Sequence, residues 1–430
     1  MNINITMKNY KNRTFFEALK IALTILFVIS AAGAQTFVIK AGHLFDARGG
    51  RMLDNQMIIV ENGKIKEVGA NLKFSKTDKI IDLSDSYVLP GLMDCHVHIT
   101  DNETYRNLTI NQTYTTESTA FRAIRGTVVA KQFLDNGFTT IKEIGNDAEY
   151  ATADIIKAIK RGWIEGPTIV YAGKIIAPYG GQSRGVNSEH EGFWKFEYID
   201  ADTPDEIKKA VRQNIYHGAT VIKMVTGDNG FYDEEDIRAA VDEAKKYGLK
   251  VTVHVRSDAQ TANAVILGGA AAIEHGFDLS DEQLQLMKDK GTFLVGTDFS
   301  YDNWYAYGMS SESAKFMADK VVDRLKRAYK TGTKMAFGTD IIVDLPEMNR
   351  AQSSLKVLNS WKAAQIPPSY ILQTMTVNSA ELLGFEKSKG ILEKSFDADI
   401  IALRNNPLEN IENVKTVRFV MKEGKVIRRD

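Results

Sequence analysis

Val88-Leu89-Pro90-Gly91-Leu92-Met93-Asp94-Cys95-His96-Val97-His98 reads as a β-strand, apolar along most of its length, that ends in two imidazoles. At i and i+2 on a strand, His96 and His98 face one side and reach a common point, while Cys95 and Val97 face the helix layer. The pair alone has a plain alternative, two core histidines held by backbone carbonyls. What decides the reading is that such endings recur along the chain. Lys223 stands in Val221-Ile222-Lys223-Met224-Val225, His254 in Val251-Thr252-Val253-His254-Val255, His275 in Ala272-Ile273-Glu274-His275 and Asp340 after Phe337-Gly338-Thr339. A buried imidazole without a partner costs roughly 1–3 kcal/mol, and buried charges rarely go unpaired. Separate structural explanations for all of them are therefore a poor account. In a closed parallel barrel every strand ends on one rim, so these side chains would meet in one pocket.

The remaining pattern supplies that barrel. Candidate strands are Tyr87 to Leu92, Thr139 to Ile144, Thr168 to Ile176, Thr220 to Val225, Val251 to Val255, Ala271 to Glu274, Thr292 to Gly296 and Lys334 to Phe337. Helical segments lie between them, as crossover connections require. Thr203-Pro204-Asp205-Glu206 combines an N-cap, a proline at the first helical position and a capping-box glutamate, and Gly218 ends that helix. A second helix runs from Asp233 to Gly248. The expected fold class is thus α/β, a (β/α)8 TIM-like barrel over 87–394. Asn62-Gly63 and Glu423-Gly424 each divide two apolar runs in the manner of hairpin turns. A hairpin is marginal alone, so 35–86 and 395–430 are expected to pair into one small β-sandwich.

Residues 1–34 read as an address. Lys8, Lys11 and Arg13 precede the apolar Ile21 to Ala32, and Ala32-Gly33-Ala34 has the small residues of a signal-peptidase site. The stretch is shorter than the roughly 20 residues of a membrane span. Export, to a bacterial periplasm, with no stable membrane insertion after cleavage, is the expectation. The 430 residues carry 54 basic and 55 acidic side chains, a net charge of −1, which argues against a nucleic-acid partner. Oligomeric state does not follow from the sequence, and a homo-oligomer is compatible with it. One cysteine, Cys95, excludes an internal disulfide and a cysteine-built zinc site. It reads as a packing residue.

A lysine among histidines has a chemical reading. A neutral, desolvated amine reacts with carbon dioxide, and the resulting carbamate is an anionic two-oxygen ligand able to bridge cations. Four imidazoles, that carbamate and one carboxylate suit two divalent ions, zinc foremost, with manganese, cobalt or iron as alternatives.

From Phe37 to Arg428 the chain resembles the metal-dependent amidohydrolase superfamily, in its branch of imidazolonepropionase relatives and prolidase-like dipeptidases. The resemblance rests on Leu89 to His98, the lysine strand, Ile273-Glu274-His275-Gly276, Gly338-Thr339-Asp340 and Asp397-Ala398-Asp399-Ile400. It implies that His96, His98 and Asp340 hold one ion, His254 and His275 the other, and carboxylated Lys223 bridges. Imidazolonepropionases use one ion without the lysine, so Lys223 favours a binuclear, peptidase-like enzyme. The expected chemistry is attack of a bridging hydroxide on an amide carbonyl, with Asp340 as general base and then acid.

Substrate contacts are read from position. The long segment Pro178 to Asp200, with Arg184, is expected over the pocket. Arg256, two residues beyond His254, either binds a substrate carboxylate or pairs with an internal acid. Tyr232, before the Asp233 cap, either meets a substrate carbonyl or packs as a hydrophobic staple. Three functions stay open: an exported peptidase or acylase for dipeptides (Xaa-Pro or other Xaa-Xaa) or N-acyl amino acids, which leads; a hydrolase of cyclic amides or lactones; and a periplasmic binding protein without chemistry.

Overall fold

Alternating parallel strands and helices close into a ring in the computed structural model, which describes residues 36–107, 110–145, 148–182, 186–226, 232–255 and 259–430. The chain begins outside that ring. Strands β1 (Phe37–Asp46), β2 (Arg51–Glu61), β3 (Lys64–Gly69) and β4 (Lys79–Pro90) join the last strands of the chain in one seven-stranded sheet. The positive φ of Asn62-Gly63 and Glu423-Gly424 provides the tight turns that both hairpin dipeptides predict. The sheet curls until its β3 edge returns to the chain before the late strands: Ser395 N–H donates to Ile65 O (2.7 Å) and Ala398 N–H to Gly63 O (2.9 Å).

Barrel staves follow as β5 (Leu92–Val97), β6 (Phe138–Glu143), β7 (Thr168–Tyr171) and β8 (Ile175–Ala177), with a side strand β9 (Tyr198–Asp200). They continue as β10 (Ile222–Val225), β11 (Val251–Val255), β12 (Ala272–His275) and β13 (Phe293–Val295). The parallel order β5-β6-β7 is carried into β8-β10-β11-β12-β13 because β7 and β8 are two halves of one stave, bent at Gly173 (φ 73°). The eighth stave is short. Met335 bridges Leu294, Cys95 N–H donates to Phe337 O (2.7 Å) and Asp340 N–H to His96 O (2.8 Å), which returns the ring to β5. Helix Val377–Leu383 lies across the opposite end, with Lys250 donating to Glu381 O and Leu382 O. The late strands β14 (Ile400–Leu403), β15 (Val417–Lys422) and β16 (Lys425–Arg429) complete the small sheet.

Two boundaries differ from the sequence reading. Residues 87–90 belong to β4, where Tyr87 to Pro90 pair with Leu403 to Ile400, so the barrel begins at Leu92. Gly91 is the break: a Cβ there would lie 2.1 Å from Thr139 Oγ1. Pro178 to Asp200 is not a bare loop either. It contains the 3-10 turn Ser188–Phe196 and strand β9, tied by Ile175 N–H to Glu197 O (2.9 Å) and Trp194 Nε1–H to Asp200 (3.0 Å). The capped helix starts as predicted, with a full Thr203/Glu206 capping box over Pro204–Tyr216. The expected leader, 1–34, lies outside the described residues. Among those described, no helix is long and apolar enough to cross a membrane.

Candidate metal centre

Six side chains from five staves converge on one rim, Lys223 from two residues below the level of His254. His96 and His98 leave β5, Lys223 β10, His254 β11 and His275 β12, while Asp340 follows the eighth stave. Asp340 Oδ1 sits 3.2 Å from His98 Nε2 and 3.4 Å from His96 Nε2, and its Oδ2 is 3.7 Å from His275 Nδ1. One ligand atom each of His96, His98 and Asp340 falls within 4.8 Å of the others, close enough for one ion. Beside this trio the His254 and His275 rings are 4.1 Å apart, and His96 and His275 5.1 Å. Lys223 enters beside them: its stave pairs Lys223 with Thr252 and Val225 with His254.

The ring tautomers are set from behind. His96 Nδ1 lies 2.8 Å from Glu274 Oε2 and His98 Nδ1 2.8 Å from Gly145 O. A carboxylate and a carbonyl only accept, so each Nδ1 carries a proton, and each Nε2 is left facing Asp340 as the nitrogen a ligating imidazole would offer. His275 Nδ1 is 2.8 Å from Thr297 Oγ1. Burial, aided by neighbouring His254, holds His275 well below the usual imidazole range and hence neutral. At His98 burial opposes charge, yet Asp340 and Glu143 outweigh it and favour a positive charge there. Burial also pushes the Lys223 amine down to about 8. Two ring nitrogens aimed at one carboxylate, in a place that favours a cation, fit a divalent ion.

Backbone geometry at the rim is unusual. His275 (φ 68°), Thr297 (φ 44°) and Asp340 (φ 55°) are left-handed without being glycine, each at a cost of about 1–3 kcal/mol. Dedicated partners hold them. Buried Arg324 donates to His275 O (2.6 Å) and Gly296 O (3.3 Å) and pairs with Asp298. Tyr307 donates its hydroxyl to Asp340 O (2.9 Å) and accepts from Ile342 N–H (3.1 Å). Asp94 ties the first stave to the eighth, accepting from Thr339 Oγ1 (2.7 Å) and from the N–H groups of His96 and Thr339. Gly338 is obligatory beside them, since a Cβ would meet Val295 at 2.3 Å and His96 at 3.0 Å.

The sequence pattern of the Amidohydrolase family matches residues 87–427. The chain belongs to the amidohydrolase family. Ochratoxinase of Aspergillus niger is 28% identical over 94% of this chain and 89% of its own length. Imidazolonepropionase of Clostridium tetani is 23% identical over 87% of this chain and 91% of its own. A solved Xaa-Pro dipeptidase with methionine bound in its active site superposes with a TM-score of 0.81 at 28% identity, covering 92% of this chain and all of that one. The amidohydrolase is accordingly a hydrolase acting on carbon–nitrogen bonds, on the TIM-barrel fold expected from its strands.

The site also holds residues that sequence reasoning passed over. Lys142, Glu143, Glu274 and Asp94 are buried charges in short strands, the same signal that singled out Lys223. Cys95 is an inert packing residue as expected, its thiol pushed up to about 12 by burial. It packs against Ala272, Phe293, Val295 and Ala336 of other staves and against helix Val377–Leu383, where it meets Leu382 and its thiol donates to Ser379 Oγ (3.2 Å). Tyr232 takes the packing role rather than the substrate one. It is 2% exposed and its hydroxyl donates to Ala201 O (2.7 Å), so it does not open on the pocket. Arg184 and Arg256 lie outside the described residues.

Proposed function

We propose that this amidohydrolase is an exported binuclear enzyme that cleaves the amide bond of dipeptides, Xaa-Pro or other Xaa-Xaa, or of N-acyl amino acids. The observation that carries the reading is the convergence of the six rim residues, with Asp340 3.2 and 3.4 Å from two imidazoles whose outer nitrogens are already committed. His96, His98 and Asp340 would hold one divalent ion, His254 and His275 a second, and carboxylated Lys223 would bridge them. Zinc suits the imidazole-rich set. Such ions supply, when bound, a water of lowered pKa and a Lewis acid for the scissile carbonyl.

The chain's own part is proton transfer and positioning. Burial pushes the Asp340 carboxyl up, but His96 and His98, which lie against it, outweigh this and hold it well below the usual carboxylate range. It therefore starts as an acceptor, takes the proton of the attacking water and hands it to the departing amine. Tyr307 and Arg324 fix the backbones of Asp340 and His275, so little reorganisation accompanies the step. The relatives support an amide substrate bearing an amino acid: one solved relative is a Xaa-Pro dipeptidase with methionine bound, another a prolidase complexed with N-methylphosphonate-L-proline at 25% identity.

Hydrolysis of a panel of dipeptides and N-acyl amino acids by zinc-loaded protein lacking residues 1–34 tests the reading. Release of free amino acids supports it. Silence toward the whole panel, with turnover of a cyclic amide or lactone, would transfer the assignment to ring opening.

A further inference from the structure

Two lysines project into the barrel below the rim, and the protein treats them differently. Lys142 on β6 and Lys223 on β10 are 1% and 2% exposed. Lys142 Nζ lies 2.6 Å from Glu274 Oε1, in a pair of which both members are fully enclosed. Lys223 makes no hydrogen bond or ion pair among the described residues, although Glu274 is the foremost charge drawing on it. Glu274 is the shared element. Its Oε2 accepts from His96 Nδ1 at 2.8 Å, and its Oε1 takes both Lys142 and the hydroxyl of Thr252. Four staves thus contribute to one array directly beneath the candidate ions.

We propose that Lys142 and Glu274 are a positioning pair for the metal centre: Glu274 aims His96 Nε2 at Asp340, and Lys142 occupies Glu274 so that Lys223 stays unpaired and free to become the bridging carbamate. This rests on the two-ion reading above. A buried carboxylate left without Lys142 takes the next cation within reach, and Lys223 supplies it. An ammonium drawn into that ion pair has no lone pair for carbon dioxide, so its nitrogen forms no new bond to carbon and releases no proton to make the carbamate. Lys142 therefore governs ligation without touching an ion.

The test uses the mature protein, ¹³C-labelled bicarbonate and zinc, read by carbon NMR for the carbamate and by elemental analysis for metal. Lys142→Met is expected to lose the carbamate resonance and fall from two zinc ions to one or none, and Lys142→Arg to keep both. In Lys142→Met/Glu274→Gln no carboxylate remains to capture Lys223, and the resonance should return. A merely structural role for Lys142 would not produce that recovery. A Lys142→Met protein with wild-type carbamate intensity and two zinc ions, or a double variant without recovery, overturns the proposal. Glu274→Gln alone is expected to weaken zinc binding about 10–100-fold through His96. If the wild-type protein itself shows no carbamate, the bridged reading fails, and unchanged zinc affinity in Glu274→Gln then overturns the positioning role as well.

Discussion

The small sheet and the barrel rim both rely on left-handed backbone, and they obtain it in opposite ways. In the sheet it falls at Asn62-Gly63 and Glu423-Gly424, hairpin turns in which Asn62 and both glycines adopt it readily. At the rim it falls on His275, Asp340 and Thr297, none of them glycine and the last β-branched, where no hairpin turn calls for it. Long-range partners impose it there: Arg324 from helix Ser311–Thr331 and Tyr307 from beyond helix Tyr301–Ala306. Conformation required by chain reversal is written beside the turn. Conformation required by chemistry is written elsewhere in the chain.

That difference can be broken experimentally. Arg324→Met should have the largest effect on stability, about 3–5 kcal/mol, because Asp298 is left buried without its cation. Denaturant unfolding should show the loss, and zinc content should fall with it as His275 relaxes. A variant as stable as the wild type would remove Arg324 from the account. Ile401→Ala in the sheet, at a fully buried position of β14, should cost about 2–5 kcal/mol and leave kcat and KM of the folded protein unchanged. An altered KM would mean that the sheet and the rim are coupled. Tyr307→Phe should lower stability by only about 1 kcal/mol but reduce kcat more than it changes KM, since it loosens Asp340 rather than substrate. A raised KM with kcat unchanged would assign Tyr307 to binding.

The same contrast explains what could be read from the chain. Staves, hairpins and the Thr203 helix start follow from alternation, turn residues and caps, all local signals. The six rim residues were legible because each contradicts the apolar run that carries it. Lys142 and Glu274 contradict theirs too, but a charge in a strand does not announce its partner, and β6 and β12 meet only across the folded barrel. The boundary at Leu92 was hidden because β4 and β5 form one apolar run, broken only by the close approach of Thr139 to Gly91. Tyr232 was left between two roles for a related reason. Its position before a helix cap suited a pocket mouth, and the acceptor that claims its hydroxyl, Ala201 O, comes from another segment.

The most direct test of the central claim is a paired measurement on wild type and Asp340→Asn: zinc content together with dipeptide or N-acyl amino acid hydrolysis. The variant is expected to keep its zinc and to lose on the order of 10²–10⁴-fold in kcat, the weight of a general acid–base group. Hydrolysis at the wild-type rate by a zinc-loaded Asp340→Asn protein would contradict it.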